Sequence, residues 1–252
     1  MRKTCCPLFA TGLLLLAAAQ AQTVDDFKSP RTQCCLPGSI QRLAAQLDDW
    51  NQLGQFYAAN EDLKKQPADP KRVVFMGDSI TIGWRLEDSF PGKPYVNRGI
   101  GGQTTPQMLV RMFPDVIDLK PAAVIILAGT NDIARNTGPM TPAMIEENFQ
   151  AMTELAQAHG IKVILCSVTP IADYGRVKMS EGRPPSDILK LNAWMKEYAA
   201  KAHAVYADYF SVLVDGTGAL KPGISQDGLH PNADGYKLMA PVAEAAIAKA
   251  LQ

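Results

Sequence analysis

Apolar and polar positions alternate with two different periods from residue 71 to the C-terminus. Short runs rich in Val, Ile and Leu predict β-strands, at residues 72–76, 94–97, 122–127, 161–166 and 204–208. Apolar residues spaced three and four apart predict helices, at about 80–88, 104–119, 141–159, 186–202 and 233–251. Because the central runs are almost continuously apolar, we expect helices on both faces of the sheet. The pattern therefore predicts a parallel, doubly wound α/β fold.

Prolines and polar stretches mark the predicted interruptions. Pro241 lies inside the last predicted helix and should kink or split it, because proline lacks an N–H and clashes with the preceding turn. Residues 170–186 are polar and contain several prolines, so we interpret them as a loop. Upstream, apolar positions spaced three and four apart begin after Ser39 and predict a helix that reaches Tyr57. Residues 22–38 are polar and predict an extended arm.

The first residues have the pattern of an export signal. Arg2 and Lys3 precede an apolar stretch at residues 8–19, and the small residues of Ala19-Gln20-Ala21 form a cleavage site. The apolar stretch is shorter than the roughly 20 residues that span a bilayer. We therefore expect residues 1–21 to be a signal peptide and the mature chain to start near Gln22. Such a chain would be exported, to the periplasm or the medium, with no stable membrane insertion after cleavage.

The composition excludes some classes of function. The 252 residues include 25 basic and 25 acidic side chains, so the formal net charge is zero. A nucleic-acid-binding protein would need a clustered basic face, which the sequence does not contain. The hydrophobic share of 47% is ordinary for a globular protein.

Three cysteines follow the predicted signal peptide, and an odd number leaves at least one thiol outside any internal disulfide. Export permits a disulfide at the adjacent Cys34 and Cys35. Cys166 lies inside an apolar run, where we interpret it as a small buried hydrophobic residue.

Four polar segments follow predicted strands or precede the last helix. They are 77-GDS-79, 97-NRGIGGQTT-105, 128-AGTND-132 and 226-QDGLHPN-232. In open parallel sheets, ligands bind at the carboxyl ends of the strands. The sequence therefore predicts that a hydroxyl, several glycines, amides and an acid–histidine pair gather along one edge.

Ser79 can act as a nucleophile only if a base takes its proton. Of the three histidines, His159 and His203 end helical runs and are interpreted as structural. His230 follows Asp227 by three residues, a spacing at which a carboxylate can orient an imidazole. In isolation, Asp227 would more often cap a turn and His230 would more often be a solvated histidine. The presence of Ser79 at a strand end favours a catalytic role for the pair.

Acyl transfer also needs hydrogen-bond donors for the developing oxyanion. The candidates are the Ser79 backbone N–H, a glycine N–H of 99-GIGG-102 and the Asn131 side chain. The glycine segment fits a nucleotide fingerprint poorly. Asn131-Asp132 has the alternative interpretation of a simple turn.

Together, 77-GDS-79, 97-NRGIGGQTT-105, 129-GTND-132 and 227-DGLH-230 resemble the conserved blocks of the SGNH hydrolase superfamily, also called the GDSL esterase/lipase family. The first two blocks are most similar to its platelet-activating-factor acetylhydrolase-like branch. The resemblance covers residues 71–252, so the predicted domains are the signal peptide 1–21, an N-terminal arm and helical segment 22–70, and an SGNH hydrolase domain 71–252.

The resemblance implies a role for each matching residue. Ser79 would be the nucleophile and His230 the general base, oriented by Asp227. The oxyanion hole would comprise Ser79 N–H, Gly102 N–H and the Asn131 side chain. The implied fold is a flavodoxin-like three-layer α/β/α sandwich with a five-stranded parallel sheet in the order 2-1-3-4-5, and no metal or organic cofactor is implied.

These observations predict an exported serine esterase that acts on small-molecule or glycan esters, with short-chain acyl groups such as acetyl favoured. Lysophospholipase, thioesterase or acyltransferase activity would use the same three residues. The rival from another class is a non-catalytic module that binds glycan or protein, and it would be expected to carry a broken triad. Residues 22–70 are expected to pack around the sheet, with control of access or dimerisation as alternatives.

Overall fold

A parallel five-stranded sheet forms the centre of the molecule. The computed structural model describes residues 49–175 and 177–252. The strands are β1 (Val73–Gly77), β2 (Tyr95–Gly99), β3 (Ala123–Leu127), β4 (Lys162–Cys166) and β5 (Val205–Ala207). Their order across the sheet is β2-β1-β3-β4-β5, and every neighbouring pair is parallel. The predicted fold class and strand order are confirmed.

Helices cover both faces of this sheet. They are α1 (Tyr57–Lys64), α2 (Ser79–Ile82), α3 (Leu86–Ser89), α4 (Thr105–Val110), α5 (Met112–Asp115), α6 (Thr130–Ile133), α7 (Pro142–Ala158), α8 (Met179–Gly182), α9 (Pro185–Lys201), α10 (Tyr209–Leu213) and α11 (Ala233–Ala250). On one face, Val74 and Met76 of β1 join a core cluster with side chains of α4, α5, α7 and α9. On the other face, Val73 and Phe75 join a cluster with side chains of α2, α3, α10 and α11. All five residues of β1 are buried, which explains its continuously apolar sequence.

The helix predicted at 104–119 is divided into α4, α5 and a 3-10 turn at Ile117–Leu119. Pro114 explains the break after Val110, because its ring clashes with the carbonyl four residues before it. The single helix predicted at 80–88 is also wrong, since α2 and α3 are separate. There the Asn97 side chain donates to the carbonyls of Thr81 and Trp84 and gives them partners outside a helix.

The last helix runs without a break from Ala233 to Ala250, so the split predicted at Pro241 is wrong and a kink stays a prediction. Pro241 is exposed, so the carbonyl deprived of its N–H partner can bind water instead. Met239 and Ala243 on the buried face keep the two halves packed on the sheet.

The predicted helix from Ser39 to Tyr57 is wrong for its described part. Residues 50–56 form turns, and α1 begins only at Tyr57. The Asp49 carboxylate accepts the N–H groups of Leu53 and Gly54, and Gln52 has a left-handed φ of 57°, so side-chain bonds set a turn where spacing favoured a helix. The predicted signal peptide, the arm and Cys34 and Cys35 lie outside the described residues.

Two further findings concern the membrane and Cys166. Within residues 49–175 and 177–252, each helix is too short or too polar to cross a bilayer. Cys166 is buried as the sequence predicted, and its burial raises the pKa of the thiol to about 12.

Candidate active site

Ser79 lies where β1 ends, at the first residue of α2. A Cβ at Gly77 would lie 2.0 Å from Thr81 Oγ1 and 2.8 Å from the Leu127 carbonyl oxygen, so glycine is required here by close packing. The Asp78 carboxylate accepts the Ile80 N–H at 2.9 Å and caps the helix. The short turn leaves Ser79 partly exposed at the carboxyl edge of the sheet.

Ser79, His230 and Asp227 form one hydrogen-bonded chain. His230 Nε2 lies 2.9 Å from Ser79 Oγ, and His230 Nδ1 lies 2.6 Å from Asp227 Oδ2. A carboxylate only accepts, so Nδ1 carries the hydrogen and Nε2 is left to accept the serine hydroxyl. The structure therefore brings together three residues that are 148 and 3 positions apart in sequence.

The loop that carries Asp227 and His230 is held by its own backbone. Asp227 Oδ1 accepts the N–H groups of Leu229 and His230, each at 2.9 Å. Burial raises the pKa of Asp227, but these bonds and the one from the His230 side chain outweigh it and lower that pKa to about 2. Gly228 has a φ of +81°, and a Cβ there would lie 1.9 Å from the carbonyl oxygen of Ala172. The loop is thus fixed in position and Asp227 is ionised at neutral pH.

The segment after β2 packs directly against the Ser79 turn. Ile100 donates its N–H to the Gly77 carbonyl at 3.0 Å. A Cβ at Gly101 would lie 3.9 Å from Ser79 Cβ, and Gly102 takes a φ of +79°. The glycines allow the backbone to pass close to the serine, as oxyanion-binding N–H groups require.

Asn131, in the first turn of α6, is tied to the same segment. Its Nδ2 donates to the Gln103 carbonyl at 3.0 Å. Asn136 Nδ2 bridges the two parts, since it donates to the Gly102 carbonyl at 3.2 Å and to Asn131 Oδ1 at 3.0 Å. The structure therefore joins Asn131 to the Gly102 loop in two ways, directly through the Gln103 carbonyl and indirectly through the Asn136 side chain.

Arg183, Asn136 and Gln103 contact Asn131, and the sequence did not predict an individual role for any of them. Arg183 is fully buried, and it lies in the segment 170–186 that was predicted to be a loop. That prediction is wrong in part, because the segment contains α8 and buried side chains. The polar composition of the segment predicted that its side chains lie at the surface. Arg183 is instead buried and hydrogen-bonds to protein groups. Its place directly before Pro184-Pro185 is the only signal in the sequence, and it is a weak one.

Two buried carboxyl groups surround the Ser79 turn. Burial raises the pKa of Asp78 to about 6, although the Ile80 N–H and the charges of His230 and Arg183 lower it. Burial also raises the pKa of Asp132 to about 6 against the bonds from Thr105. Among the described residues, Asp78 makes no contact that would orient His230, and its bond to Ile80 holds the turn that carries Ser79.

The other two histidines lie apart from this chain of contacts. His159 Nδ1 is 2.9 Å from the Leu155 carbonyl, and its ring packs edge-on against Phe113. His203 follows α9 with a left-handed φ of 53°. Both positions end a helix, as predicted.

The α/β/α fold, with a serine, an imidazole and a carboxylate in contact at the carboxyl edge of its sheet, is the arrangement of a serine hydrolase. Residues 75–238 match the GDSL-like Lipase/Acylhydrolase family. The chain belongs to this family, which confirms the resemblance seen in the sequence, and it is a serine carboxylic-ester hydrolase. Its substrates are small-molecule esters.

Several individual proteins are similar to this chain. A solved GDSL-like lipase from Bacteroides thetaiotaomicron is 40% identical, with a TM-score of 0.74, and the match covers 81% of this chain and all of that one. Esterase TesA of Pseudomonas aeruginosa is 29% identical over 67% of this chain and 84% of its own. An uncharacterized lipoprotein of Bacillus subtilis, YqeF, is 35% identical over 40% of this chain and 49% of its own.

Proposed function

We propose that the protein is an exported esterase that hydrolyses short-chain acyl esters through an acyl-Ser79 intermediate. Ser79 is the nucleophile, His230 the general base and Asp227 the group that orients the imidazole. The observation that carries these roles is the continuous contact from Ser79 Oγ to His230 Nε2 at 2.9 Å and from His230 Nδ1 to Asp227 at 2.6 Å. These distances suit proton transfer in the resting enzyme.

The reaction runs in two halves. Ser79 Oγ attacks the ester carbonyl while His230 Nε2 takes its proton, and the ionised Asp227 stabilises the imidazolium. His230 then returns the proton to the departing alcohol, which leaves the acyl group on Ser79. In the second half, water attacks the acyl carbonyl with His230 again as base, and the acid is released as Ser79 regains its proton.

Three donors stabilise the tetrahedral intermediates: the backbone N–H of Ser79, the backbone N–H of Gly102 and the side-chain amide of Asn131. The Ser79 N–H is at the start of α2, where backbone donors have no partner within the helix. The close approach of Gly101 to Ser79 and the tie between Gly102 and Asn136 support the other two assignments. Losing one such donor typically costs about 2.7–4 kcal/mol of barrier.

The favoured substrates are acetyl or similar short esters on carbohydrates. The support comes from the resemblance of 77-GDS-79 and 97-NRGIGGQTT-105 to the platelet-activating-factor acetylhydrolase-like branch, and from the export pattern at the N-terminus. Export rests on the leader pattern of residues 1–21 and agrees with the lipoprotein name of the Bacillus subtilis relative.

Hydrolysis of p-nitrophenyl acetate, with labelling by a serine-directed fluorophosphonate, tests the proposal. The wild-type chain should turn over and label, and Ser79→Ala should abolish both. His230→Ala should lose nearly all kcat, and Asn131→Ala should lower kcat with the fold intact. Expressed with its own leader, the purified chain should begin near Gln22 by intact mass. An intact chain that neither labels nor hydrolyses any ester of an acyl-length panel would instead be a binding module.

A further inference from the structure

Arg183 is a charged side chain with no contact to solvent, and it hydrogen-bonds to Thr130 and Asn131. It is 0% exposed. Its Nε donates to Thr130 Oγ1 at 3.1 Å, and its Nη2 donates to Asn131 Oδ1 at 3.3 Å. Nη1 has no hydrogen-bond partner among the described residues. Burying a guanidinium without full pairing costs stability, so this placement calls for a reason other than stability.

The Asn131 carboxamide is held at three points. Its Oδ1 accepts from Arg183 and from Asn136, and one N–H of its Nδ2 donates to the Gln103 carbonyl. Within the described residues, the second N–H of Nδ2 has no acceptor. A rotated amide would turn its NH2 group toward two donors and its oxygen toward the Gln103 carbonyl, so the contacts permit one orientation.

We propose that Arg183 is a positioning residue that orients and polarises Asn131, so that the remaining N–H of Asn131 serves the oxyanion. This inference rests on the proposed function of Asn131. A bond from a cation to the amide oxygen draws electron density from the nitrogen, and the effect is strong where water is excluded. The free N–H is therefore a better donor than that of an ordinary asparagine amide.

The charge of Arg183 also acts on the wider site. It lowers the pKa of the buried Asp78, against the stronger effect of burial. Asp78 supplies negative charge near the guanidinium, but it forms no ion pair with Arg183 within 4.0 Å among the described residues. The cation is thus only partly compensated and is directed at Asn131.

Steady-state kinetics with p-nitrophenyl acetate test this role. Arg183→Met keeps the unbranched stem of the side chain and removes the guanidinium with its charge, and it should lower kcat by about 10-fold to 100-fold, the effect of a hydrogen bond to a charged group. KM should change little, because the bond acts in the transition state. Arg183→Lys should recover part of kcat. Lys190→Met, which removes an exposed cation of α9, is the matched control and should leave both constants unchanged.

A double-mutant comparison separates positioning from a structural effect. In the Asn131→Ala background, Arg183→Met should cause no further loss of kcat. The same loss in both backgrounds, or a loss confined to KM, would overturn the inference. If Arg183→Met does not fold, Arg183→Gln decides: it keeps hydrogen-bond donors without the charge, and wild-type kcat in a folded Arg183→Gln variant would equally overturn the inference. The proposed function fails separately, if Ser79→Ala retains the wild-type rate.

Discussion

Asp78 shows how the site is maintained at a cost in stability. It lies next to the proposed nucleophile and is 1% exposed, and one oxygen accepts the Ile80 N–H. Burial raises the pKa of this carboxyl from 3.8 to about 6, more than the Ile80 N–H and the charges of His230 and Arg183 lower it. The folded protein therefore holds this proton more tightly than the unfolded chain, so the free energy of unfolding falls as pH rises through that interval.

Asp78→Asn should remove this pH dependence, because the amide is neutral and its oxygen can still accept the Ile80 N–H. From pH 4 to pH 7.5, the difference in unfolding free energy between variant and wild type should shift by about 2–3 kcal/mol in favour of the variant. Urea unfolding at both pH values measures it, and contributions from groups that do not interact with Asp78 cancel in the difference. A difference that stays constant with pH would contradict the prediction.

The roles of single residues were predictable where a reactive side chain occupies a position that is unusual for it. Ser79 at a strand end and the Asp227–His230 spacing indicated reactive groups, and the structure brings these three side chains into contact. Arg183 was not predictable, because a polar segment favours the surface unless its buried partners are known. Asn136 likewise acquires its meaning from contacts with Gly102 and Asn131 that only the fold creates.

At the scale of elements, the strands were predicted to within a residue or two and the helix breaks were not. Strand periodicity reflects burial on both faces, which is recorded in the apolar runs themselves. The break after Val110 depends on a proline four residues later, and the end of α2 depends on Asn97 from another strand. The Asn97 bond is a tertiary contact, which overrides local spacing, whereas Pro114 is a local signal that apolar spacing does not record.

The loop with Asp227 and His230 owes its position to Gly228. Gly228→Ala should destabilise the fold by at least about 3 kcal/mol and lower kcat, because a Cβ would collide with the Ala172 carbonyl and displace His230 from Ser79. Gly223→Ala is the matched control: Gly223 has a φ of +84° with open space around it, so only backbone strain of about 1–2 kcal/mol applies. Urea unfolding and kcat separate the two, and equal losses would show that packing at Ala172 is unimportant.

At the scale of the molecule, the described part of the N-terminal segment is tied to the hydrolase core. Gln103 Nε2 donates to the Asn51 carbonyl at 3.0 Å, and the Arg98 guanidinium lies 4.7 Å over the ring of Phe56. These contacts lie close to the segment that carries Gly102. The proposed boundary between 22–70 and 71–252 marks where the sequence resemblance begins. Because these contacts join the two segments, we expect the described part of 22–70 to unfold together with the hydrolase core.

Asn60 gives the sharpest test of that cooperativity. It is buried, donates to Asp115 at 2.6 Å and accepts from Arg98 at 2.8 Å. Asn60→Leu keeps the volume but leaves two buried charged groups short of a partner, so the single unfolding transition should lose about 2–5 kcal/mol. Glu61→Leu, one position along on the exposed face, should change stability by no more than about 0.5 kcal/mol. If α1 were an independent unit, Asn60→Leu would leave the main urea midpoint unchanged, because Arg98 and Asp115 would not depend on it for their pairing.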